Sequence, residues 1–381
     1  MTNTPIQALL PAGLRDVLFP DAGHEADAVT KVMGYFGLHG YDRVKPPLIE
    51  FEDSLLDGAG AATASQSFRV MDPMSQKMMG VRADITPQVA RIAAARLASA
   101  PRPLRLAYAG EVLRVKGNQL NPERQYCQVG LELIGPSVVA ADAEVLTLAA
   151  GALELLGVPG ISVDLTLPTL VPAVLASADL PRDSLVHLRE ALNHKDAAGV
   201  KEWGGSVADI LLALLEAAGP LDRGLARLNA LTLPPEAAAL REQLMQVVAQ
   251  VRILAPHLTL TVDPVENLGF EYHKGVSFTL FSRLGGGELG RGGRYVSGGG
   301  EAATGASLFM DAVLAVADKP VSVRRVYVPL GGDPAKAAAL RSQGWVTVSG
   351  LEPLADSVSE ARRLGCSHVL RPDGDGSPSA V

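Results

Sequence analysis

The chain has 381 residues, 48% hydrophobic and 20% charged, a composition that predicts an ordinary globular protein of two or three domains. A net charge of −7 argues against a nucleic-acid binder, which needs a basic field to neutralise phosphates. The two cysteines, Cys127 and Cys366, have no disulfide-framework or metal-ligand spacing, no apolar run approaches the roughly 20 residues that span a bilayer, and no metal or cofactor site is expected.

Residues 1–20 lack a basic region followed by a sustained apolar run, so no signal peptide is expected and the cytoplasm is the expected location. Residues 21–37 read as an amphipathic helix, with Val29, Val32, Met33 and Phe36 on one face and Gly37 as its stop. A strand at 41–44 ends at Pro46-Pro47, and 68–71 with 77–82 form a hairpin about Asp72-Pro73. Thr86-Pro87 opens a helix, with Thr86 as its N-cap. Strands follow at 104–114 and 126–134, separated by a polar loop at 115–124, and then a buried helix at 140–156. From 168 to 255 the pattern is helical throughout, with a cap at Asp222, and reads as an inserted subdomain. Strands resume at 258–262 and 276–281. A glycine-rich stretch at 285–300 reads as a loop that approaches a ligand closely, and a helix is expected at 307–317. The tail alternates strand and helix over 325–370 and ends in a frayed segment at 373–377. The expectation is an α+β core, an antiparallel sheet flanked by helices over 1–320, with a helical insertion and a small α/β unit over 321–381.

Two strands carry the chemistry. Side chains alternate along a strand, so Gln128, Gly130 and Glu132 share one face, while Cys127, Val129, Leu131 and Leu133 share a plain core face. Tyr108, Gly110, Val112 and Arg114 align in the same way on the preceding strand. Two glycines on facing strands open a hollow edged by both signs of charge, which suits a zwitterion. The spacing equally allows Arg114 and Glu132 to form an ion pair on a half-exposed sheet.

Longer motifs decide between these readings. Residues 40–47 (Gly-Tyr-Asp-Arg-Val-Lys-Pro-Pro) resemble class II motif 1, and 114–132 resemble motif 2 with its loop. The segments 269–273 (Gly-Phe-Glu-Tyr-His) and 292–295 (Gly-Gly-Arg-Tyr) look like the two histidine signatures. The chain is thus similar to the class II histidyl-tRNA synthetase family over most of 11–319. The resemblance implies that Asp84 and Thr86 lie near an amino acid's α-amino group and Arg114 at its carboxylate side. It puts Gln128 and Glu132 around the ligand, and Tyr295 with Tyr272 or His273 against an imidazole.

The departures from the pattern matter as much. Leu268 stands where the synthetases carry an activating arginine, and Lys116 where motif 2 offers a glutamate. Pro122 replaces a phosphate-binding residue, while Phe309 and Ala312 replace a glycine and an arginine of motif 3. Adenylate formation needs positioned cations on the transferring phosphate, so the activation step is expected to be lost. A kept amino-acid pocket with a broken nucleotide site resembles the regulatory subunits of ATP phosphoribosyltransferase, as does the 82–91 run. That resemblance implies a non-catalytic homodimer within a hetero-oligomer. Its partner is a short-form catalytic subunit that joins ATP to phosphoribosyl pyrophosphate in the first step of histidine biosynthesis. Free L-histidine is the feedback ligand, and neither nucleic acid nor membrane is bound. The alternatives are a divergent active histidyl-tRNA synthetase and a tRNA-sensing pseudo-synthetase.

Overall fold

The computed structural model describes residues 10–56, 58–117, 122–266, 272–319, 323–371 and 377–381. The chain divides into two compact units, Met1–Asp318 and Lys319–Val381.

In the first unit α1 (Asp21–Leu38) turns its buried Ala28, Val32, Met33 and Phe36 onto the sheet. Strand β1 (Asp42–Arg43) follows, then β2 (Ile49–Phe51), a short α2 (Glu52–Leu55), and the hairpin β3 (Arg69–Met71) with β4 (Met78–Val81). Asp72 accepts from the backbone N–H groups of Met74 and Ser75 and so closes that turn. Next come α3 (Thr86–Arg91), β5 (Leu104–Leu113), β6 (Gln125–Ile134), α4 (Val139–Leu155) and β7 (Ile161–Thr166).

A helical stretch then runs through α5 (Leu170–Leu175), α6 (Arg182–Asn193), α7 (Ala197–Trp203) and α8 (Ala208–Ala217). After the two-residue β8 (Gly219–Pro220) it continues as α9 (Leu221–Ala230) and α10 (Pro235–Leu254). Leu188, Val200, Leu211, Leu228 and Leu244 from these helices join the hydrophobic cluster that backs the sheet, so the stretch has no separate core. Asp222 is not a cap: Pro220 holds that position, and the Asp222 carboxylate pairs with Arg252.

The unit closes with β9 (Thr259–Asp263), β10 (His273–Ser282), β11 (Gly285–Val296), β12 (Ala302–Phe309) and α11 (Met310–Val316). Nine strands form one sheet in the order β1-β5-β6-β12-β11-β10-β7-β9-β8, antiparallel through its centre. The helices cover one face, where Cys127, Val129, Leu131 and Leu133 are buried. The opposite face carries a smaller cluster with Tyr108, Val112, Tyr126 and Tyr295, and the site lies there.

Three further expectations are corrected. Residues 285–296 are a central strand, not a loop. Glycine is rare in strands, but here the neighbours occupy the space a side chain would need, for example the Ser277 Cα only 2.8 Å from a Cβ on Gly293. Residues 302–309 are a strand that delays the helix to Met310, because pairing with β6 and β11 on both sides outweighs the local apolar run. Thr86 is the first helical residue and Ile85 the cap. Asp84 Oδ1 accepts the Thr86 N–H at 3.0 Å, leaving the threonine hydroxyl for another role.

The second unit is a four-stranded sheet, β14-β13-β15-β16, formed by β13 (Arg325–Val328), β14 (Val346–Ser349), β15 (His368–Leu370) and β16 (Pro378–Ala380). Helix α12 (Pro334–Ser342) packs on the Val326 and Val328 face, and α13 (Ser357–Arg363) on the Tyr327 face, giving three layers. The expected frayed end falls mostly outside the described residues. Beyond it, β16 pairs antiparallel with β15. Among the described residues, no helix is long and apolar enough to cross a membrane.

Candidate functional site

Cross-strand register builds the site in rows across β6, β12 and β11. One row reads Glu132–Gly305–Gly293, the next Gly130–Ser307–Arg291, and Gln128 pairs with Phe309 in a third. Rows two residues apart along a strand are separated by about 7 Å. The sheet face is therefore acidic at the Glu132 row and cationic further along, with Arg291 two residues away on β11 and Arg114 eight residues away just past β5.

The cavity over these rows has a volume of about 390 Å³. Asp84, Thr86, Arg114, Gln128, Glu132, Tyr272, His273 and Tyr295 all line it, so the geometry brings every sequence-predicted site residue together. Both Tyr272 and His273 reach it, their rings 4.1 Å apart; Tyr272 precedes the first residue of β10, so strand alternation does not separate the two. Leu268 lies outside the described residues. Lys116 and Pro122 are exposed and do not line the cavity.

The hollow is not where the two glycines predicted it. The space over Gly110 holds the Arg82 guanidinium, and that over Gly130 holds the Tyr108 phenol. Arg82 also donates through Nε to the Glu111 carbonyl at 2.7 Å, and so ties β5 to the segment before α3. The cavity is bounded instead by the backbone of Gly292, Gly293 and Gly305 together with the side chains around them. Nor do Arg114 and Glu132 form a surface pair: Glu132 is fully buried, and the Arg114 guanidinium sits over the Tyr126 and Phe309 rings, 4.9 and 5.8 Å from their centroids.

Glu132 is the centre of a closed polar network. Tyr295 donates to its Oε2 at 2.8 Å and Tyr108 to its Oε1 at 3.3 Å. The Tyr108 hydroxyl also lies 3.0 Å from Thr86 Oγ1 and 2.9 Å from Ser307 Oγ. Gln128 accepts from the Ile85 N–H at 3.0 Å and donates to Ser307 Oγ at 2.7 Å and Asp84 Oδ1 at 2.8 Å, which fixes which end of the amide is which. Burial pushes the Glu132 carboxyl up to about 8, and the nearby Asp84 charge adds to this, against hydrogen bonds from Tyr295, Thr86 and Tyr108. Burial and the Glu132 charge hold the Tyr108 and Tyr295 phenols well above their usual range, so both remain donors.

Tyr108, Ser307 and Arg291 were not singled out from the sequence. The local pattern predicts a helix at Ser307 and a loop at Arg291, while Tyr108 shares the right face but has no partner near it in sequence. Replacing Tyr108 with Phe is expected to destabilise the fold by about 1–3 kcal/mol, because it strips a shared partner from buried Thr86 and Ser307. Thermal unfolding measures this, and a melting temperature equal to the parent's would mean the hub adds nothing.

Behind the sheet, Arg294 forks onto Asp142 of α4, with Nη2 to Oδ2 at 2.7 Å and Nε to Oδ1 at 3.1 Å, and Thr304 donates to the same carboxylate at 2.9 Å. Strand alternation sends Arg294 to the helix layer and its neighbour Tyr295 into the cavity.

The family model described as histidyl-tRNA synthetase matches residues 13–313. An ATP phosphoribosyltransferase regulatory subunit from Paramagnetospirillum magneticum is 63% identical over 374 residues, covering 98% of this chain and 99% of the relative. A solved ATP phosphoribosyltransferase regulatory subunit/histidyl-tRNA synthetase from Bacillus halodurans superposes with a TM-score of 0.80 at 23% identity, covering 94% of this chain and 97% of the other. A chain of the ATP phosphoribosyl transferase (HisG:HisZ) complex from Thermotoga maritima gives a TM-score of 0.60 at 18% identity, covering 75% and 97%. The shared architecture is the α+β, histidyl-tRNA synthetase-like fold.

Proposed function

The chain belongs to the family of ATP phosphoribosyltransferase regulatory subunits, and from that membership we propose that it binds free L-histidine in the cavity over Glu132 and passes the occupancy of that site to a separate catalytic subunit. It acts in histidine biosynthesis, and phosphoribosyl transfer is the catalytic subunit's chemistry. In the proposed assembly the chain is a homodimer within a cytoplasmic hetero-oligomer, and its partner is a short-form catalytic subunit.

The observation that carries the histidine reading is the polarity of the cavity. Glu132, flanked by Tyr295, Tyr272 and His273, offers an acid and aromatic walls to an imidazole. Asp84 and Thr86 supply acceptors for an ammonium, and Arg114 supplies a fork for a carboxylate. Burying a zwitterion is favourable only when each charged group is met in this way.

One feature supports the loss of adenylation: Ala312 is buried in the core, where it brings no charge to a triphosphate. Coupling between histidine here and substrates on the partner is reciprocal, of the order of 1–3 kcal/mol. Calorimetry on the native chain is expected to show histidine binding that Glu132→Ala removes, with histidine-dependent ATP–pyrophosphate exchange at background. Exchange at a synthetase-like rate would defeat this reading.

A further inference from the structure

We infer that Arg291 is a second carboxylate-binding group of the site, and that it makes the site select a free amino acid over its decarboxylated or esterified analogues. The inference rests on the histidine reading and gives the ligand a direction along the strands.

Arg291 projects from β11 on the cavity face, paired in register with Ser307 and two residues from Gly293. Gly293 shares a row with Glu132, so Arg291 lies about 7 Å further along the strand from the acidic row. A histidine ring placed at Glu132 and Tyr295 thus points its carboxylate toward Arg291. Glu288 engages Nε and Nη2 of the guanidinium and holds the side chain in the cavity wall. Arg291 and Arg114 both line the cavity, Arg291 from β11 and Arg114 from the residue that follows β5. The Tyr126 hydroxyl is buried and has no hydrogen-bond partner among the described residues. Arg114 alone is drawn onto two aromatic rings, and Arg291 supplies a guanidinium from the β11 side.

The test is calorimetry on the full chain with L-histidine, histidine methyl ester and histamine, comparing native protein, Arg291→Gln and Arg291→Lys. The native chain is expected to prefer histidine. Arg291→Gln should weaken histidine by roughly 10- to 100-fold, the scale of a lost charge-assisted hydrogen bond, while leaving histamine binding unchanged. Arg291→Lys keeps the charge without the fork and should fall between the two. Equal losses for all three ligands, or no change for histidine, would overturn the assignment to the carboxylate. Unchanged histamine binding in Arg291→Gln also demonstrates that the variant is folded. A native chain that binds histamine as tightly as histidine overturns this inference and leaves the histidine reading standing. A native chain with no affinity for histidine removes the reading and the inference together.

Discussion

Replacing Gly305 with alanine is expected to cost close to a hundredfold in histidine affinity, about 2–3 kcal/mol, and to lower the melting temperature as well. Gly305 pairs directly with Glu132, and a Cβ built there falls inside the carboxylate, 2.7 Å from Oε1 and closer still to Oε2. The carboxylate cannot retreat easily. Tyr295 and Tyr108 hold its two oxygens, and those phenols are themselves buried and packed. The methyl group must displace the acid, part the strands, or do some of each. Gly298→Ala is the matched control. It is exposed, nothing lies near its would-be Cβ, and its effect should stay within about 0.5 kcal/mol. Native-like histidine binding by Gly305→Ala would show that the acid is not where the ligand is read.

Histidine affinity is expected to peak between about pH 6.5 and pH 8 and to fall roughly tenfold per pH unit on either side. The free imidazole titrates near 6.5 and the buried Glu132 carboxyl at about 8. Between these values the separated partners hold one proton, on the carboxyl, and the complex needs that one proton between ring and acid. Below the window both partners are protonated and one proton must leave; above it neither is, and one must be taken up. Calorimetry in buffers of different ionisation enthalpy reads this as proton release on the acid limb and uptake on the alkaline limb. Glu132→Gln should abolish the alkaline limb along with most of the affinity. An affinity that is flat from about pH 5.5 to about pH 8.5 would sink the proposal that ring and acid share a proton. In the unliganded chain the same shift acts on stability. Folding retains a proton on Glu132 that the unfolded chain releases above about 4.5, so this group's contribution declines as pH rises from there to about 8.

Much of this was legible in the residues themselves. The alternation along β6 separated Gln128 and Glu132 from Cys127, Val129, Leu131 and Leu133, and the structure puts the two sets on opposite faces. The turn at Asp72, the amphipathic α1 and the strand–helix alternation of 325–370 followed from local chemistry in the same way. What escaped was set by partners distant in sequence. Nine of the twelve residues in 285–296 are not strand formers by propensity, if arginine and glutamate are counted with glycine, and only the strands on both sides make them one. Ser307 belongs to the site because β12 reaches it before the helix begins. Tyr108 matters through hydroxyl contacts to residues 22, 24 and 199 positions away, which no periodicity encodes.

The ion pair between Arg294 and Asp142 has a consequence for the ligand side of the sheet. A slip of β11 by one residue would bring the guanidinium out among the aromatic walls and thrust the phenol of Tyr295 into the apolar layer beneath α4. It would also strand a buried carboxylate without its counter-charge, a loss of about 3–5 kcal/mol. A strand so rich in glycine has little side-chain bulk to set its own alignment. One pinned arginine on the far side therefore serves as its registration mark, and keeps the adjacent tyrosine in the cavity.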